Sequence, residues 1–438
     1  MSVATSDLVV RNVRVPGRGG AFDLLTAEGK VLELVAHDPA APAPNARASR
    51  VIDGRGLLLM PALTDAHAHL REPGQEWKED IGSGLAAAAA GGFSNVLCMA
   101  NTDPVNDNEA VTRFMRRRAA KAHPNGPRLF PIGALTMGLR GRELAPLGEL
   151  RDAGCVAFSN DGEPVADTEI FRRALEYAAD LAPVIDHCED PFMAKGSGAN
   201  EGAMSARLGL RGQPDAAEAI QVARDILLAE YLGAPVHLAH VSCRRAVELI
   251  RAAKKRGAPV TAETCPHYLL MTDAALLGYD TMAKVNPPLR TDDDRLALTQ
   301  ALREGVIDIL ATDHAPHALH EKETPFEDAK NGISGLDTAL ASLWELVRQG
   351  RLSPEDIVAR FAWRPAEIFK LPVNRFAPGD PADFLLFDPE DSWVVTPESL
   401  RSKGKNTPLL GQPLTGRVVL TAVGGVVVHD LLVRPDPA

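Results

Sequence analysis

The sequence predicts an α/β protein: a (β/α)8 TIM-like barrel with a small β-sandwich domain formed by both termini. Three observations support this prediction. Short apolar runs alternate with helix-like segments through the middle of the chain, both ends are rich in β-branched residues, and 438 residues suffice for a large barrel plus a minor domain. We therefore divide the chain into a small β-domain, residues 1–56 and 372–438, and a barrel, residues 57–371.

Eight apolar runs in the middle of the chain are the predicted barrel strands. Near-continuous apolar runs are typical of parallel strands buried on both faces, and eight such units over roughly 300 residues fit this barrel class. Helix-like segments rich in Ala, Leu, Glu and Arg separate most of them. The runs are Leu57–His69, Asn95–Met99, Arg128–Leu135, Val156–Asp161, Pro183–Glu189, Pro235–Val241, Val260–Leu269 and Asp308–His314.

The two ends of the chain have a sequence pattern that differs from the middle: runs of β-branched residues separated by Pro and Gly. Such runs predict short strands, and their occurrence at both ends predicts one small β-domain built from both termini. The runs are Leu8–Val10, Val13–Val15, Val31–Val35, Asp383–Phe387 and Arg417–Val428.

Two segments interrupt the alternation, Asp190–Pro214 and Ala315–Asp337. Each follows a predicted strand, so both are expected over the C-terminal mouth of the barrel. Loops at that mouth commonly contact substrate in barrels of this kind.

Composition excludes several function classes. The net charge is −11, and the basic triplets at 116–118 and 254–256 lie in helix-like stretches, so we predict no nucleic-acid surface. No apolar run reaches the roughly 18 residues of a membrane span. Residues 1–15 lack a signal-peptide pattern, and the five cysteines form no CxxC pair, so we expect reduced thiols and a cytoplasmic protein.

The C-terminal ends of the predicted strands carry the His and Asp residues that could bind a metal. In this barrel the C-terminal ends of the strands point into one shared mouth, so four His and two Asp that are distant in sequence are expected to meet there. They are His67, His69, Asp161, His187, His240 and Asp313. Each alone is weak evidence, but five different strands each deliver a ligand type to the same rim, and together they predict a metal site.

The spacing His67-x-His69 has a physical logic, because residues i and i+2 of a strand point to the same face. Neutral imidazoles bind zinc and other divalent first-row metals, and an Asp adds a hard oxygen ligand. His187 and His240 would then serve a second metal, and an Asp between the two sites could bridge them. No P-loop, dinucleotide motif or G-x-S-x-G elbow is present, so a metal-activated water is the predicted nucleophile.

Two further histidines have other expected roles. His237 alternates with the candidate ligands and is expected to be packed or hydrogen-bonded. His267, in Cys265-Pro266-His267-Tyr268, is compatible with a structural or a functional role, and we favour the structural one.

Beyond these separate features, the chain resembles class I dihydroorotases of the amidohydrolase superfamily over almost its whole length. The resemblance is most specific in the first and last of its motifs taken together. The motifs are Asp65-Ala-His67-Ala-His69-Leu-Arg71-Glu-Pro-Gly74, Met99-Ala-Asn101-Thr-Asp-Pro104, Ala157-Phe-Ser-Asn-Asp161-Gly162, His187-Cys-Glu-Asp190, Leu238-Ala-His240-Val-Ser242, Lys284-Val-Asn286-Pro-Pro-Leu-Arg290 and Ala311-Thr-Asp313-His-Ala-Pro-His317.

The resemblance implies two zinc ions per subunit. By analogy, His67, His69 and Asp313 would hold one and His187 and His240 the other, with Asp161 bridging both. Asp313 would also be the catalytic acid and base. The resemblance further implies substrate contacts, with His69 lying beside the substrate, Arg71, Asn101 and His317 on its carboxylate, Asn286 on its ring, and the backbone around Asn331 and Gly332 closing over it.

One departure from the family pattern is visible. Family members often have Pro-Phe-Gly where this chain has Lys330-Asn331-Gly332. A contact made through backbone groups would survive that change, whereas a contact made through a Phe face would not.

The implied reaction is the reversible interconversion of N-carbamoyl-L-aspartate and L-dihydroorotate in pyrimidine biosynthesis. A guanidinium such as that of Arg71 suits the substrate carboxylate, since it donates two parallel hydrogen bonds. The alternatives are a hydantoinase or allantoinase with the same metal ligands, and a non-catalytic relative acting as a partner protein. We expect a small-molecule substrate and a homodimer, with aspartate transcarbamoylase as a candidate partner.

Overall fold

The structure is a computed structural model that describes residues 7–40 and 50–432. The first six residues, part of the segment in which no signal peptide is predicted, lie outside the described residues. No helix within the described ranges combines the length and apolarity needed to cross a membrane.

The described residues form eighteen strands, which we number in chain order. They are β1 (Leu8–Val13), β2 (Phe22–Ala27), β3 (Lys30–Ala36), β4 (Arg50–Asp53), β5 (Leu58–Pro61), β6 (Leu63–Ala68), β7 (Phe93–Cys98), β8 (Arg128–Ala134), β9 (Ala157–Ser159), β10 (Val184–Asp186), β11 (Ala199–Asn200), β12 (Gly212–Gln213), β13 (Val236–Leu238), β14 (Val260–Thr264), β15 (Ile309–Leu310), β16 (Phe384–Val394), β17 (Pro413–Val423) and β18 (Val426–Asp430).

The same residues form thirteen α-helices, most of which follow a barrel strand. They are α1 (Ile81–Gly91), α2 (Glu109–Ala122), α3 (Leu147–Ala153), α4 (Thr168–Ala178), α5 (Pro191–Ala194), α6 (Ala203–Leu208), α7 (Asp215–Leu232), α8 (Arg244–Lys255), α9 (Pro266–Leu270), α10 (Asp292–Glu304), α11 (Ala339–Arg348), α12 (Pro354–Val358) and α13 (Arg364–Phe369).

The predicted barrel is confirmed. Its eight strands pair in parallel in the order β15-β14-β13-β10-β9-β8-β7-β6. A parallel bridge between Ala68 and His314 joins the two outer strands, with the His69 amide donating to the His314 carbonyl at 2.8 Å. The ring is therefore almost closed, and the ends of its first and eighth strands lie side by side.

The barrel interior is filled below the mouth by small and branched apolar side chains, among them Ala66, Ile132 and Ile185, with Phe369 of α13 packed against them. A filled interior is typical of this barrel, in which the space is a packed core and not a pore. The chemistry is therefore confined to the strand ends above this layer.

The terminal strands form two further four-stranded sheets, β3-β2-β1-β4 and β18-β17-β16-β5. Their facing apolar side chains share one core, in which Val10 and Leu24 of the first sheet meet Leu386 and Leu420 of the second. Two sheets that bury a common apolar layer form a sandwich, as the sequence predicts.

Two strand predictions need correction. The run Leu57–His69 is two strands, because β5 pairs with β16 in the terminal sheet while β6 enters the barrel. The run Val260–Leu269 is a strand only to Thr264, after which Pro266 begins α9. A buried apolar run does not show where a chain changes sheet or turns into a helix, because both faces are buried in either case.

Candidate metal centre

The six predicted ligands meet at the C-terminal mouth of the barrel. Five of them line a cavity of about 200 Å³ there, and the sixth, His67, lies against two of those five, Asp161 and Asp313. His67 and His69 lie at the end of β6, and the other four follow β9, β10, β13 and β15. All six side chains are buried or nearly so. Their convergence follows from the fold, since parallel strands end at the same rim.

The first group of ligand atoms surrounds His67 and His69. His67 Nε2 lies 3.3 Å from Asp161 Oδ1, and His69 Nε2 lies 3.4 Å from Asp161 Oδ2. The Oδ1 atom of Asp313 lies 3.3 Å from His69 Nε2 and 3.6 Å from His67 Nε2. The i, i+2 spacing therefore places both imidazoles on one face.

The second group lies on the other side of Asp161. His187 Nδ1 and His240 Nε2 lie 3.3 and 3.4 Å from Asp161 Oδ1. The carboxylate of Asp161 thus belongs to both groups, as expected of a bridging ligand.

These distances fit a bound cation. Ligands about 2.0–2.2 Å from a tetrahedral ion lie roughly 3.3–3.6 Å from one another, which is the spacing found in both groups. His67 Nε2 is buried and has no hydrogen-bond partner among the described residues, although it points between two carboxylates. A buried nitrogen in that state is what a metal ligand presents, so the residues fit a metal cofactor.

Glu263 is a functional residue that the strand-end argument missed. Its carboxylate accepts a hydrogen bond from His67 Nδ1 at 2.7 Å and one from His237 Nε2 at 3.1 Å. With Nδ1 as the donor, the lone pair of His67 lies on Nε2, on the side of Asp161 and Asp313. The available signal was a charged residue inside the largely buried strand β14, where charges are rare.

His69 is oriented in the same way by Asn101, whose side-chain oxygen accepts from His69 Nδ1 at 2.9 Å. The role of Asn101 as a substrate contact stays a prediction, and its bond to His69 was not predicted from the sequence. His237 accepts from Thr261 Oγ1 at 2.8 Å in addition to its bond to Glu263, so the prediction that it is hydrogen-bonded is confirmed.

Asp65 ties the first and eighth strands together beneath the cavity. Its carboxylate accepts from the Thr312 amide at 2.8 Å and from Thr312 Oγ1 at 2.5 Å. Burial raises the pKa of Asp65 to about 6 despite these bonds. This contact fixes His67 and Asp313 relative to each other, because each lies within two residues of it.

The backbone is strained at three residues of the site. His240, Asp313 and Arg71 have φ angles of 32°, 47° and 62°, in the left-handed region that side chains with a Cβ seldom adopt. Strain of this kind costs on the order of 1–3 kcal/mol per residue and concentrates at functional sites. All three of these side chains line the same cavity.

Opposite charges stabilise the ionised groups despite their burial. Burial would raise the pKa of Asp161, but the charge of His67 and hydrogen bonds from His187 and His240 lower it well below its usual value. Burial would lower the pKa of His187, but Asp161 and Glu189 raise it to about 10. Carboxylates that stay ionised although buried give the site the negative charge that a bound cation requires, and a cation would take the place of the protons on the imidazoles.

The predicted substrate contacts line the same cavity. Arg71 donates from Nε to the Pro316 carbonyl at 3.2 Å, and its Nη2 atom lies 3.4 Å from His317 Nε2. Asn286 Nδ2 lies 3.3 Å from His187 Nε2. The cavity therefore combines a cation site with a guanidinium, a combination that suits a small anionic ligand.

Asn331 and Gly332 form the outer wall of the cavity, and both present backbone groups. His317 Nε2 donates to the Asn331 carbonyl at 2.8 Å, and the Gly332 amide donates to the Lys284 carbonyl at 2.9 Å. Gly332 has φ 141°, and a Cβ there would lie 2.6 Å from the Ala315 carbonyl oxygen, so glycine is required.

His267 lies in a third group of ligand-type atoms, with Cys265 and Asp313. Burial lowers its pKa to about 4, so its ring is neutral near pH 7. The structural role that the sequence favours for His267 stays a prediction.

Known proteins match both the sequence and the fold. A family model described as "Dihydro-orotase-like" matches residues 56–246. Relatives named dihydroorotase from Geotalea daltonii and Syntrophus aciditrophicus are 48% and 46% identical, over 93% and 94% of this chain and 95% of each relative.

Two solved structures share the architecture. The L-hydantoinase (dihydropyrimidinase) from Arthrobacter aurescens superimposes with a TM-score of 0.85 at 27% identity, over 97% of this chain and 96% of that one. The dihydropyrimidinase from Brevibacillus agri gives a TM-score of 0.79 at 24% identity, over 96% and 95% of the two chains, and supports the fold alone.

Proposed function

This chain belongs to the dihydroorotase family of cyclic amide hydrolases, and from that premise we propose how its site performs the reaction. The proposed activity is the reversible conversion of N-carbamoyl-L-aspartate to L-dihydroorotate at a centre of two zinc ions per subunit. The observation that supports the choice of substrate is the buried Arg71, which lines the same cavity as five of the six candidate metal ligands.

The proposed ligands divide into two sets that share Asp161. One set is His67, His69 and Asp313, and the other is His187 and His240. Nitrogen ligands with a few carboxylates favour zinc among common divalent ions. When bound, a pair of zinc ions lowers the pKa of water and polarises an amide carbonyl.

We propose that Asp313 moves the proton in this reaction. In the hydrolytic direction its carboxylate accepts a proton from the attacking water as the new C–O bond forms. It then delivers that proton to the ring nitrogen as the C–N bond breaks, so one group serves as base and then as acid. Asp313 lines the cavity, and its Oδ1 atom lies 3.3 Å from His69 Nε2, which supports this role.

Arg71, Asn101 and His317 are the proposed partners of the substrate carboxylate. Burial and then the charge of Arg71 lower the pKa of His317 to about 2, so its ring is neutral and carries a single N–H. That N–H donates to the Asn331 carbonyl in this structure and would have to turn to the substrate carboxylate on binding. Asn286 is the proposed contact to the substrate ring, and His69 lies between the carboxylate end and the metal end. The backbone of Asn331 and Gly332 would close the cavity without requiring a Phe side chain.

The alternative function is that of a hydantoinase or dihydropyrimidinase, since solved structures with those names share the fold. Their named substrates lack the carboxylate of dihydroorotate. Arg71 therefore favours the dihydroorotase function over the hydantoinase function. A buried cation without an anionic partner would only weaken the binding of a neutral ring.

The test combines metal analysis with turnover of L-dihydroorotate, hydantoin, dihydrouracil and allantoin. We expect about two zinc ions per chain and a preference for dihydroorotate. Arg71→Met should lower kcat/KM for dihydroorotate by roughly a hundredfold or more, the cost of losing a charge-assisted bidentate contact. The exposed Arg113→Met is the matched control. Preferred turnover of hydantoin, unaffected by Arg71→Met, would refute the assignment, and absence of both metal and turnover would favour a non-catalytic partner.

Further proposals concern the whole protein. We propose the division into residues 57–371 and the two terminal segments, a cytoplasmic homodimer, a role in pyrimidine biosynthesis, and aspartate transcarbamoylase as a candidate partner. Light scattering of the purified protein, alone and mixed with that enzyme from the same organism, would test the assembly states.

A further inference from the structure

Two buried lysines lie behind the outer wall of the cavity. The side chains of Lys284 and Lys322 are 5% and 1% exposed. Neither ammonium group pairs with a carboxylate in the part of the chain that the structure describes. Each is bonded only to backbone carbonyl oxygens.

Lys284 reaches from the segment that precedes α10 into the loop that follows β15. Its ammonium donates to the carbonyls of Phe326, Glu327 and Ala329 at 2.7, 3.0 and 2.8 Å. Three N–H donors thus meet three acceptors, which satisfies the whole ammonium group.

Lys322 makes the reciprocal connection from the loop. Its ammonium donates to the carbonyls of Thr281 and Lys284 at 2.9 and 3.3 Å, and to that of Lys330 in its own loop at 2.7 Å. The Thr281 hydroxyl donates to the Lys322 carbonyl at 2.7 Å. Each segment therefore holds the other through a buried cation.

The two fastened segments carry different proposed substrate contacts. Lys284 stands two residues before Asn286, whose amide faces His187. The loop held by Lys322 continues into Asn331 and Gly332, and the Gly332 amide donates to the Lys284 carbonyl. The lysines thus fix the outer wall relative to the ring contact without lining the cavity themselves.

Burying two ammonium groups side by side is unfavourable in itself. Burial and then the charge of Lys284 lower the pKa of Lys322 to about 7, and burial also lowers the pKa of Lys284. An apolar side chain would avoid this cost but would leave buried carbonyls without their donors. At Lys284 these are the carbonyls of Phe326, Glu327 and Ala329. At Lys322 it is chiefly that of Lys330, since the Thr281 and Lys284 carbonyls also accept backbone amides. The arrangement is therefore consistent with a need to hold irregular backbone in one conformation.

We propose that Lys284 and Lys322 are positioning residues that hold the wall formed by Asn331 and Gly332 against the segment carrying Asn286. They set the affinity for substrate without contacting the substrate or the metal ligands. The inference rests on the proposed function for the identity of the substrate. The connection between the segment before α10 and the loop after β15 depends only on the observed hydrogen bonds.

The main test is Lys322→Met, which keeps the length of the side chain and removes all three donors. We expect KM for dihydroorotate to rise roughly tenfold or more, as the loss of one or two substrate hydrogen bonds would produce. The value of kcat should fall by a smaller factor, and the metal content should stay at the wild-type level. The exposed Lys255→Met, at the end of α8, is the control and should change none of these.

A rescue experiment separates positioning from general damage. In Lys322→Ala, added ethylammonium should lower KM again, whereas it should leave the wild-type enzyme unaffected. Should Lys322→Met fail to fold, Lys322→Gln replaces it; because Gln keeps two N–H donors, KM should rise by a smaller factor, and an unchanged KM with unchanged hydrogen exchange would overturn the inference. Lys284→Met should raise KM similarly, and the double variant should be less than additive because both residues secure the same contact.

Hydrogen exchange of residues 322–332 keeps this inference distinct from the proposed function. Faster exchange in Lys322→Met than in the Lys255→Met control supports the fastening even if the wild-type protein does not hydrolyse dihydroorotate, which would refute only the proposed function. Unchanged exchange together with unchanged KM in Lys322→Met would overturn the inference. Loss of metal in that variant would overturn it as well, since the lysine would then act on the metal centre.

Discussion

The ligand cluster and the outer wall line one cavity, but they are held in different ways. The ligands stand at the ends of hydrogen-bonded barrel strands, and side chains such as Glu263 and Asn101 orient the imidazoles. The wall at Asn331 and Gly332 has irregular backbone, held by side chains that bind its carbonyls. In the ligand cluster, function therefore depends on which side chains stand at the strand ends. In the wall, it depends on where the backbone of Asn331 and Gly332 is held.

Asp161→Asn should have the largest effect, because this carboxylate belongs to both ligand groups. Removing one charge from a buried cluster costs about 3–5 kcal/mol, or between roughly a hundredfold and a few thousandfold in affinity. We expect loss of metal and of turnover, measured by elemental analysis and by the dihydroorotate assay. The exposed Asp152→Asn should behave as the wild type. Full metal content in Asp161→Asn would contradict the bridging role.

Glu263→Gln should have the next largest effect, although Glu263 is not a proposed ligand. A residue that orients a metal-binding histidine typically contributes 10–100-fold to metal affinity, and we expect a loss of about that size. Competition with a chromogenic chelator would measure it, with the exposed Glu248→Gln as the control. An unchanged affinity would show that the strand alone orients His67.

Asn406→Ala tests the wall from the side of the terminal segment. The Asn406 amide donates to the carbonyls of Ala315 and Gly332 at 3.0 and 2.9 Å, and its oxygen accepts from the His317 amide at 2.8 Å. Losing these buried bonds should raise KM by roughly three- to tenfold at wild-type metal content. The exposed Asn125→Ala is the control. A drop in metal content would mean that the two regions are not independent.

Asn331→Ala should have the smallest effect. Asn331 offers its backbone carbonyl to His317, and its exposed side chain replaces the Phe that family members often have. We expect kcat/KM within about threefold of the wild type, the range of a surface substitution. Gly332→Ala should be far more damaging, since a Cβ would meet the Ala315 carbonyl at 2.6 Å. Similar losses in both variants would show that the Asn331 side chain itself takes part.

The sequence predicted that the candidate ligands would lie together, and it predicted the wall only in part; the ligand roles stay predictions. His67, His69 and Asp313 could be found because strand periodicity and strand ends are local properties, and the barrel brings strand ends together. The boundary within Leu57–His69 was missed, because an apolar run looks the same whether it joins one sheet or two.

By itself the sequence determined the barrel, the six candidate ligands and the guanidinium at residue 71. Only the tertiary structure showed that Glu263 is hydrogen-bonded to His67 and Asn406 to the Gly332 carbonyl. It alone also showed that Lys284 and Lys322 are each bonded to three backbone carbonyls. These contacts join residues distant in sequence, and their partners are often backbone atoms, which every residue possesses. No pattern of side chains in the sequence can reveal which carbonyls will meet a buried lysine, because that depends on how the loops fold over the mouth.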